Sequence, residues 1–266
     1  MGEGHRLFVE QVVNDVRFMA APNITAVHAF TTRFGGVSRG VYNSMNLGLN
    51  QGDDPASVSS NYAIICRTLS LQRGSFAGSR QVHGAHIRTV TRADCGKLSV
   101  IPTYEADGLL TGESGVTLIV FAADCVPILL HDPVRCVISA IHSGWRGTSR
   151  DIVGAAVRKM SHEFGCSPAD IRAAIGPSIS KCCYDTDSDV ADVLKETLLS
   201  GAEYCITARG EKYMIDLKEA NRLLLRKAGV YDIDISDECT SCLTDKYWSH
   251  RRISGRRGSQ AALIAI

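Results

Sequence analysis

The chain has 266 residues, of which 45% are hydrophobic and 21% are charged, a globular composition with room for one large domain or two small ones. A formal charge of +1 excludes a strongly basic surface for nucleic acid or anionic membranes, and no apolar run approaches the roughly 18 residues of a membrane span. The segment MGEGHRLFVEQVVNDVRF lacks the apolar block of a signal peptide, so the ten cysteines are expected as reduced thiols. We therefore predict a cytoplasmic protein that binds neither nucleic acid nor membrane, and leave its oligomeric state open.

The first part of the chain is predicted to hold loops and one helix. Residues 1–24 are expected to form a lead-in strand or loop ahead of a single domain over residues 25–266. Glycine, asparagine and serine alternate with apolar and aromatic residues over 31–55, which indicates an ordered irregular loop. Asp54 as N-cap and Pro55 at the first helical position then predict a helix to about residue 70. Its buried stripe comprises Val58, Ile65 and Leu69.

The second part alternates between strands and helices without a strict order. Apolar runs rich in β-branched residues predict buried strands at GVTLIVFAA and CVISAIH, with further strands at about 86–91, at IRAAIG and at QAALIAI. Helices are predicted over TSRDIVGAAVRKMSHEFG, capped near Thr148 or Ser149 and ended by Gly165, and over about 187–200 and 216–228. No linker divides these elements, so the pattern indicates one α+β or mixed α/β domain.

Common catalytic signatures are absent from the sequence. It contains no G-x-G-x-x-G, no G-x-x-x-x-G-K-[ST], no H-E-x-x-H and no G-x-S-x-G. These absences argue against a Rossmann cofactor site, a P-loop NTPase, a zincin metalloprotease and an α/β-hydrolase.

Three side chains at junctions of strands and loops carry the positive signal: His83 in QVHG, Cys125 in ADC and His142 in HSGW. Strand ends hold the backbone rigidly and leave the side chains accessible, so these groups can converge in one pocket. Two imidazoles and one thiolate suit Zn²⁺, and three protein ligands leave its fourth position open. The spacing matches no local metal motif, and each histidine alone has an ordinary hydrogen-bonded role as its simpler explanation.

A second interpretation makes Cys125 a nucleophile and His142 its base, as in cysteine hydrolases. Asp124 would then orient the histidine, but neighbouring residues on a strand point to opposite faces, which favours the metal interpretation. His86 begins an alternating strand and is expected at the surface, and His131 precedes a turn and is expected to face solvent.

Four further cysteines leave two interpretations open. Cys239 and Cys242 have C-x-x-C spacing and could bind zinc together with Cys182 and Cys183. No second C-x-x-C exists, so packing in the core is favoured over a structural zinc.

Two arginines are candidates for binding an anion. Arg33 lies against a glycine turn in TTRFGG, and Arg146 in GWRG precedes a helix. Backbone N–H groups and a guanidinium in such places hold phosphate well, although a plain surface role is equally open for either residue alone. Together they make an anionic substrate plausible.

Seven motifs occur in an order that resembles one family. They are TTRFGGVSRGVYNSMNLGLNQGDDP, QVHGAHI, EADGLLT, ADCVPILL, HSGWRGT, GPSISKCCYD and CTSC…SHRR…GRRGSQAALI. They resemble the bacterial laccase-domain proteins, also described as multicopper polyphenol oxidoreductases and now understood as purine nucleoside phosphorylase and adenosine deaminase enzymes. The likeness runs from about residue 25 to the end of the chain. SHRR stands where SYRR is expected and CCYDT where CCYEV is expected, which puts the substrate preference in doubt but does not touch the trio.

The resemblance implies a single domain of mixed β-sheets flanked by helices. It places the family's metal ligands on His83, Cys125 and His142, with one Zn²⁺ per chain, and copper is a second candidate for the same ligands. The implied reactions are phosphorolysis of adenosine, inosine, guanosine and methylthioadenosine to base plus ribose 1-phosphate, and deamination of adenosine to inosine. Asp124 is the nearest carboxylate in sequence for the proton shuttle, and Arg33 and Arg146 are the candidates for phosphate.

Two other functions compete with the nucleoside enzyme. A four-copper oxidase of phenols needs about ten histidines, many in H-x-H pairs, whereas this chain has 8 histidines and no H-x-H. A non-enzymatic role would make the trio a structural metal site or a redox sensor. A structural zinc is normally closed by four protein ligands, and the sequence offers no obvious fourth for the trio.

Overall fold

The computed structural model describes residues 7–49, 51–96, 104–253 and 255–266. The first six residues of the predicted lead-in lie outside these ranges. The strands, in chain order, are β1 Val9–Val13, β2 Val16–Ala20, β3 Val27–Thr31, β4 Phe76–Ala77, β5 Ile87–Thr89, β6 Gly108–Thr111, β7 Thr117–Ala122, β8 Val126–Asp132, β9 Val137–Ser143, β10 Arg172–Ile175, β11 Asp185–Thr186, β12 Ile206–Arg209, β13 Lys212–Ile215, β14 Asp232–Ile235 and β15 Gln260–Ala265. The α-helices are α1 Pro55–Leu69, α2 Trp145–Ser149, α3 Ile152–Phe164, α4 Ser188–Leu198, α5 Ala202–Cys205 and α6 Leu217–Lys227.

Two six-stranded sheets form the centre of the fold, in the orders β1-β2-β3-β15-β7-β4 and β14-β10-β8-β9-β6-β5. A small third sheet has the order β11-β13-β12. Most neighbouring strands are antiparallel, but β4 with β7, β5 with β6 and β10 with β14 are parallel. The prediction of an α+β fold with mixed sheets flanked by helices is confirmed.

The two large sheets pack face to face, with helices on both outer sides. Phe30 and Leu118 of the first sheet share one core cluster with Leu129 and Ile138 of the second. The outer face of the second sheet packs against α3, α4 and α6, and that of the first packs against α1. Every residue of β8 and β9 is buried, because both of their faces are covered. This explains why these strands are continuous apolar runs in the sequence rather than alternating ones.

The N-terminal strands extend the first sheet across the predicted boundary at residue 25. The hairpin of β1 and β2 pairs with β3, which in turn pairs with β15 at the other end of the chain. Sequence inspection predicted none of β1 to β3 as separate strands.

Helix α1 begins as predicted. Asp54 accepts hydrogen bonds from the N–H groups of Ala56 and Ser57, and Pro55 follows it. The predicted cap of the next long helix is wrong. Thr148 and Ser149 lie inside the short helix α2, and α3 starts after Asp151, whose side chain accepts from the Gly154 N–H. Gly165 ends α3 in the left-handed region at φ 67°, as expected. No helix in the described ranges has both the length and the apolar character to cross a membrane.

Candidate metal centre

Three elements of the second sheet and its loops bring His83, Cys125 and His142 together. His83 lies in the loop between β4 and β5, Cys125 in the turn between β7 and β8, and His142 near the end of β9. The ligand atoms of the three side chains all lie within 4.8 Å of one another. The thiol Sγ is 4.0 Å from Nδ1 of His83, and the centroids of the two imidazole rings are 4.9 Å apart. The three predicted metal ligands therefore converge, as expected for strand-end side chains.

The loop that carries His83 is wrapped around one buried carboxylate. Asp107, fully buried just before β6, accepts hydrogen bonds from three successive backbone N–H groups, those of Val82 at 3.1 Å, His83 at 3.0 Å and Gly84 at 2.7 Å. His83 itself has a left-handed backbone, with φ 57°. Such a conformation costs a non-glycine residue free energy, and the three hydrogen bonds offset that cost.

The same carboxylate orients His142. Nδ1 of His142 lies 2.9 Å from an Asp107 oxygen, so the other ring nitrogen, Nε2, remains for Cys125 and a metal. Carboxylate–histidine pairs of this kind fix the tautomer and the ring angle of metal-bound histidines. Burial alone would raise the pKa of Asp107, but the hydrogen bonds from His142 and from the backbone outweigh it and lower the pKa. Asp107 was missed in the sequence. Its only signal there is its place in the EADGLLT motif.

The thiol of Cys125 is electrostatically coupled to the imidazole of His142. Burial would raise the pKa of Cys125, but the charge and hydrogen bond of His142 and the hydrogen bond from His83 lower it to about 6. Burial would lower the pKa of His142, but the Cys125 thiolate and Asp107 raise it. The metal-free site therefore favours a thiolate beside an imidazolium. A thiolate is the form that binds metal and the form that attacks carbonyl groups.

Gly144 lets the backbone pass close to the ligands. A Cβ atom at this position would lie 3.1 Å from both the Cys125 sulfur and Nδ1 of His83. The glycine is thus required by space rather than by backbone conformation, since its φ of −75° suits any residue. The absent side chain leaves the ligands free to meet.

The trio lies on the wall of a cavity of about 1010 Å³. Its lining includes a set of cationic and aromatic side chains, among them Arg80, Arg146, His250, Arg251, Arg257, Tyr104, Phe121 and Tyr184. The volume suits a ligand somewhat larger than a simple sugar or base. A lining that combines arginines with aromatic rings suits a ligand with an anionic part and a flat ring.

Arg257 is the arginine most closely associated with the trio. Its buried Nε has no hydrogen-bond partner within the described part of the chain. Burial lowers the pKa of its guanidinium, while Asp124 and Cys125 raise it. A half-buried cation whose buried Nε has no partner among the described residues favours an anionic partner. The sequence did not single out Arg257 as a site residue.

The two arginines predicted to bind an anion lie in different surroundings. Arg146 lines the cavity, with its guanidinium 4.4 Å from the ring centroid of Trp145. Arg33 is not among the lining residues. Its Nη1 and Nε donate to the backbone carbonyls of Thr244 and Asn43 at 2.7 and 3.1 Å, and it stacks 5.0 Å from the Trp248 ring. The structure thus corrects the prediction for Arg33, because its donors are used to hold two loops together.

Asp124 lies beside the trio, in a bend rather than on a strand. Its backbone has φ 93°, so the expected alternation of strand faces does not apply. Its two carboxylate oxygens accept hydrogen bonds from the hydroxyls of Thr240 and Ser249, at 2.7 and 2.9 Å, and from the backbone N–H of Arg251 at 2.7 Å. These hydrogen bonds join the turn that carries Asp124 to two later segments of the chain. The predicted role of Asp124 in proton transfer stays a prediction.

Three further predictions are resolved by burial. His86 is exposed, as expected, whereas His131 is buried in β8 and not solvent-facing. Core packing fits Cys239, which is buried, but not Cys182 and Cys242, which are exposed. The expectation of core packing for these cysteines is therefore wrong for two of them.

Fold and site together define a single-domain α+β protein with a candidate metal centre of two histidines and one cysteine at the edge of a large cavity. The chain belongs to the family described as multi-copper polyphenol oxidoreductase laccase, whose sequence profile matches residues 27–266. The resemblance seen in the motifs is confirmed.

Characterised relatives and solved structures resemble nearly the whole chain. Purine nucleoside phosphorylase YlmD of Geobacillus stearothermophilus is 39% identical, over 97% of this chain and 96% of that protein. The purine nucleoside phosphorylase of Deinococcus radiodurans is 38% identical, over 93% and 92%. The crystal structure of YlmD from Geobacillus stearothermophilus aligns with a TM-score of 0.90 at 37% identity, covering 97% of this chain and 98% of that chain. That of the hypothetical protein YfiH of Bacillus licheniformis aligns with a TM-score of 0.88 at 32% identity, covering 96% and 97%.

Proposed function

We propose that the protein is a zinc-dependent purine nucleoside phosphorylase that also deaminates adenosine. The observation that carries this proposal is the His83–Cys125–His142 trio on the wall of a cavity lined by arginines and aromatic rings. The names of the relatives support phosphorolysis of purine nucleosides. Adenosine, inosine, guanosine and methylthioadenosine are the proposed substrates.

The donor set fits Zn²⁺. Two imidazole nitrogens and one thiolate are typical zinc ligands, and the carboxylate of Asp107 supplies the outer contact that metal-bound histidines have. The glycine at position 144 leaves room that a Cβ atom would fill. Zn²⁺ held there would act as a Lewis acid and would lower the pKa of water, which is the chemistry that deamination requires.

The chain's own residues would bind and orient the substrates. We assign Arg146 and Arg257 to phosphate, because both line the cavity and Arg257 has an unused buried donor. Arg251 lines the same wall, but its guanidinium is already paired with Asp185 at 2.6 Å. Phe121 and Tyr184 offer aromatic surface for a purine ring. In phosphorolysis, phosphate held by the arginines would attack the ribose C1′ while the bond from C1′ to the purine nitrogen breaks and positive charge develops at C1′. The products are ribose 1-phosphate and the free base, which takes up the proton that phosphate gives up.

A metal-free cysteine hydrolase is the second candidate. The observation in its favour is that His142 lies between a carboxylate and a thiol, with Nδ1 toward Asp107 and the other nitrogen toward Cys125. This is the order of a nucleophile, base and orienting group. The second imidazole counts against it, since a nucleophile and its base do not need His83 within 4.0 Å of the sulfur.

The test compares the purified protein with the variants His83→Ala and His86→Ala. His86 is an exposed histidine three positions away, so it is a matched control. Each protein is analysed for metal and assayed with adenosine plus phosphate for adenine, ribose 1-phosphate and inosine. We expect His83→Ala to lose all three products and one zinc ion, and His86→Ala to keep the products and the zinc. Full activity after metal removal, abolished by alkylation of Cys125, would favour the hydrolase.

The same metal analysis shows whether the trio holds copper or zinc. Oxidation of a phenolic dye that requires added copper would indicate that the trio binds copper, but not that the protein is a multicopper oxidase. The 8 histidines of the chain and the absence of H-x-H leave no basis for a four-copper centre.

A further inference from the structure

We propose that Cys182, Cys183, Cys239 and Cys242 form a second metal site, which binds a structural Zn²⁺ through four thiolates. The ligand atoms of these four residues all lie within 4.8 Å of one another. The site is built from two loops, residues 178–184 after β10 and residues 238–243 after β14. It is separate from the trio, shares no ligand with it and goes beyond the proposed function.

The three sulfur–sulfur distances among Cys182, Cys183 and Cys242 are close to those of tetrahedral coordination. The Sγ atoms of Cys183 and Cys242 are 3.4 Å apart, those of Cys182 and Cys242 are 3.6 Å apart, and those of Cys182 and Cys183 are 3.8 Å apart. Four sulfurs at about 2.3 Å from one tetrahedral Zn²⁺ lie about 3.8 Å from each other. A disulfide would bring one pair to about 2.05 Å, and all ten cysteines are free here.

The backbone holds the two loops in register independently of the sulfurs. Ser178 and Cys239 form an isolated parallel bridge, and the N–H of Thr240 donates to the carbonyl of Ser178 at 3.1 Å. Within the C-x-x-C turn, the N–H of Cys242 donates to the carbonyl of Cys239 at 3.1 Å. These bonds hold both loops in the position that brings the four thiols together.

Local charge and exposure also favour ligation over packing. Four thiolates around Zn²⁺ carry a net charge of about −2, which needs nearby donors. The backbone N–H of Ser180 donates to the sulfur of Cys239 at 3.3 Å, and Nη2 of Arg252 lies 3.9 Å from the sulfur of Cys183. Cys182 and Cys242 are exposed, so burial of apolar surface does not explain their convergence.

The donor set decides between a structural and a catalytic role. Four cysteines fill all positions of a tetrahedral zinc and leave none for water or substrate. Iron–sulfur clusters also take four cysteines, and the experiment separates the two by colour, iron content and acid-labile sulfide. The proposed metal is zinc, and its role is to fix one loop against the other.

The test compares the metal content of the wild type with that of four variants of the 266-residue chain. Elemental analysis of the wild type should give about two zinc ions per chain, and both His83→Ala and Cys242→Ser should give about one, since each loses a different site. Cys136→Ser removes an exposed cysteine outside the cluster and should keep both. The His83→Ala protein, reloaded with Co²⁺, should show the intense thiolate-to-cobalt absorption of a four-sulfur site, and the double variant with Cys242→Ser should lose it.

Three results would overturn the proposal. One is a His83→Ala protein that is folded by circular dichroism but binds neither Zn²⁺ nor Co²⁺ after reduction and reconstitution. Another is iron with acid-labile sulfide in the as-purified wild type. The third is a mass two hydrogens lower per pair of these cysteines in anaerobically purified protein, which would indicate disulfides. None of these readouts requires enzymatic activity, so the proposed function can fail without affecting this inference.

Discussion

The substitution Asp107→Asn tests how far one carboxylate organises the candidate metal centre. One oxygen of Asp107 accepts from the His83 N–H at 3.0 Å and from Nδ1 of His142 at 2.9 Å. The other accepts from the N–H groups of Val82 and Gly84, at 3.1 and 2.7 Å. Asparagine has nearly the same size but only one acceptor oxygen, so it cannot make all four bonds.

Either orientation of the asparagine amide loses part of the site. With its oxygen toward His142 and the His83 N–H, the amide NH₂ faces the N–H groups of Val82 and Gly84, and the loop that carries His83 loses two of its three hydrogen bonds. With its oxygen toward the loop, the NH₂ faces Nδ1 of His142 and moves the ring proton to the nitrogen needed by a metal. Leaving buried donors unmatched costs about 1–3 kcal/mol each, so we expect a loss of about 2–4 kcal/mol in the free energy of unfolding. Zinc affinity at the trio should fall about 10–100-fold.

Urea unfolding of the metal-free protein measures the free energy of unfolding. Competition with a chromophoric chelator measures zinc affinity, in the Cys242→Ser background so that the trio is the site measured. Asp216→Asn is the control, since Asp216 caps α6 by accepting from the Glu219 N–H and lies outside both cysteine sites. Asparagine caps a helix about as well as aspartate, so this control should change the free energy of unfolding little and leave zinc affinity unchanged. An Asp107→Asn protein with wild-type stability and zinc affinity would refute the role given to this carboxylate.

Three more predictions follow from individual contacts. Arg257→Ala should raise the KM for phosphate about 10–100-fold in initial-rate kinetics, because it removes the buried donor assigned to phosphate. Arg256→Ala, at the exposed neighbouring position, should leave this KM unchanged, and an equal effect of both substitutions would contradict the assignment. Gly144→Ala should weaken zinc binding about tenfold, because its Cβ would lie only 3.1 Å from the Cys125 sulfur. The same zinc competition measures this, and an unchanged affinity would show that the ligands can move without loss of binding. His28 accepts from the Ala21 N–H through Nε2 at 2.9 Å, and burial lowers its pKa below 6.5. Its folded form therefore favours the neutral ring, so stability present above pH 6.5 should be lost as the pH falls below it, by at most about 1.4 kcal/mol per pH unit for this proton. Urea unfolding at pH 7.5 and 5.5 should show a smaller loss for His28→Gln than for the wild type.

The sequence predicted the trio because its members carry recognisable local signals. His83, Cys125 and His142 each stand beside small residues where an apolar run meets a loop, and the ordered motifs around them pointed to the family. The strands near them were predicted for the same reason, since fully buried strands are apolar throughout. Exposed β1 was missed because its five residues face solvent and carry no such run.

The features that the sequence did not predict depend on contacts between distant parts of the chain. Asp107 meets residues 24 and 35 positions away, and nothing in its own neighbourhood marks it as their common acceptor. Arg33 stood against a suitable glycine turn, yet its guanidinium is bound to a carbonyl 211 positions away. The cysteine cluster joins pairs 59 and 60 positions apart, so one C-x-x-C and one adjacent pair were too little to predict a site.

The two cysteine-containing sites are joined mechanically by Asp124. Its backbone at φ 93° carries strain of about 1–3 kcal/mol, which persists only where the surroundings hold it. The hydroxyl of Thr240 and the N–H of Arg251 provide that hold, each at 2.7 Å from its carboxylate. Thr240 directly follows Cys239, and Cys125 directly follows Asp124. A metal on the four cysteines would therefore add a restraint on the turn that presents Cys125, beyond the backbone hydrogen bonds that already hold the two loops in register.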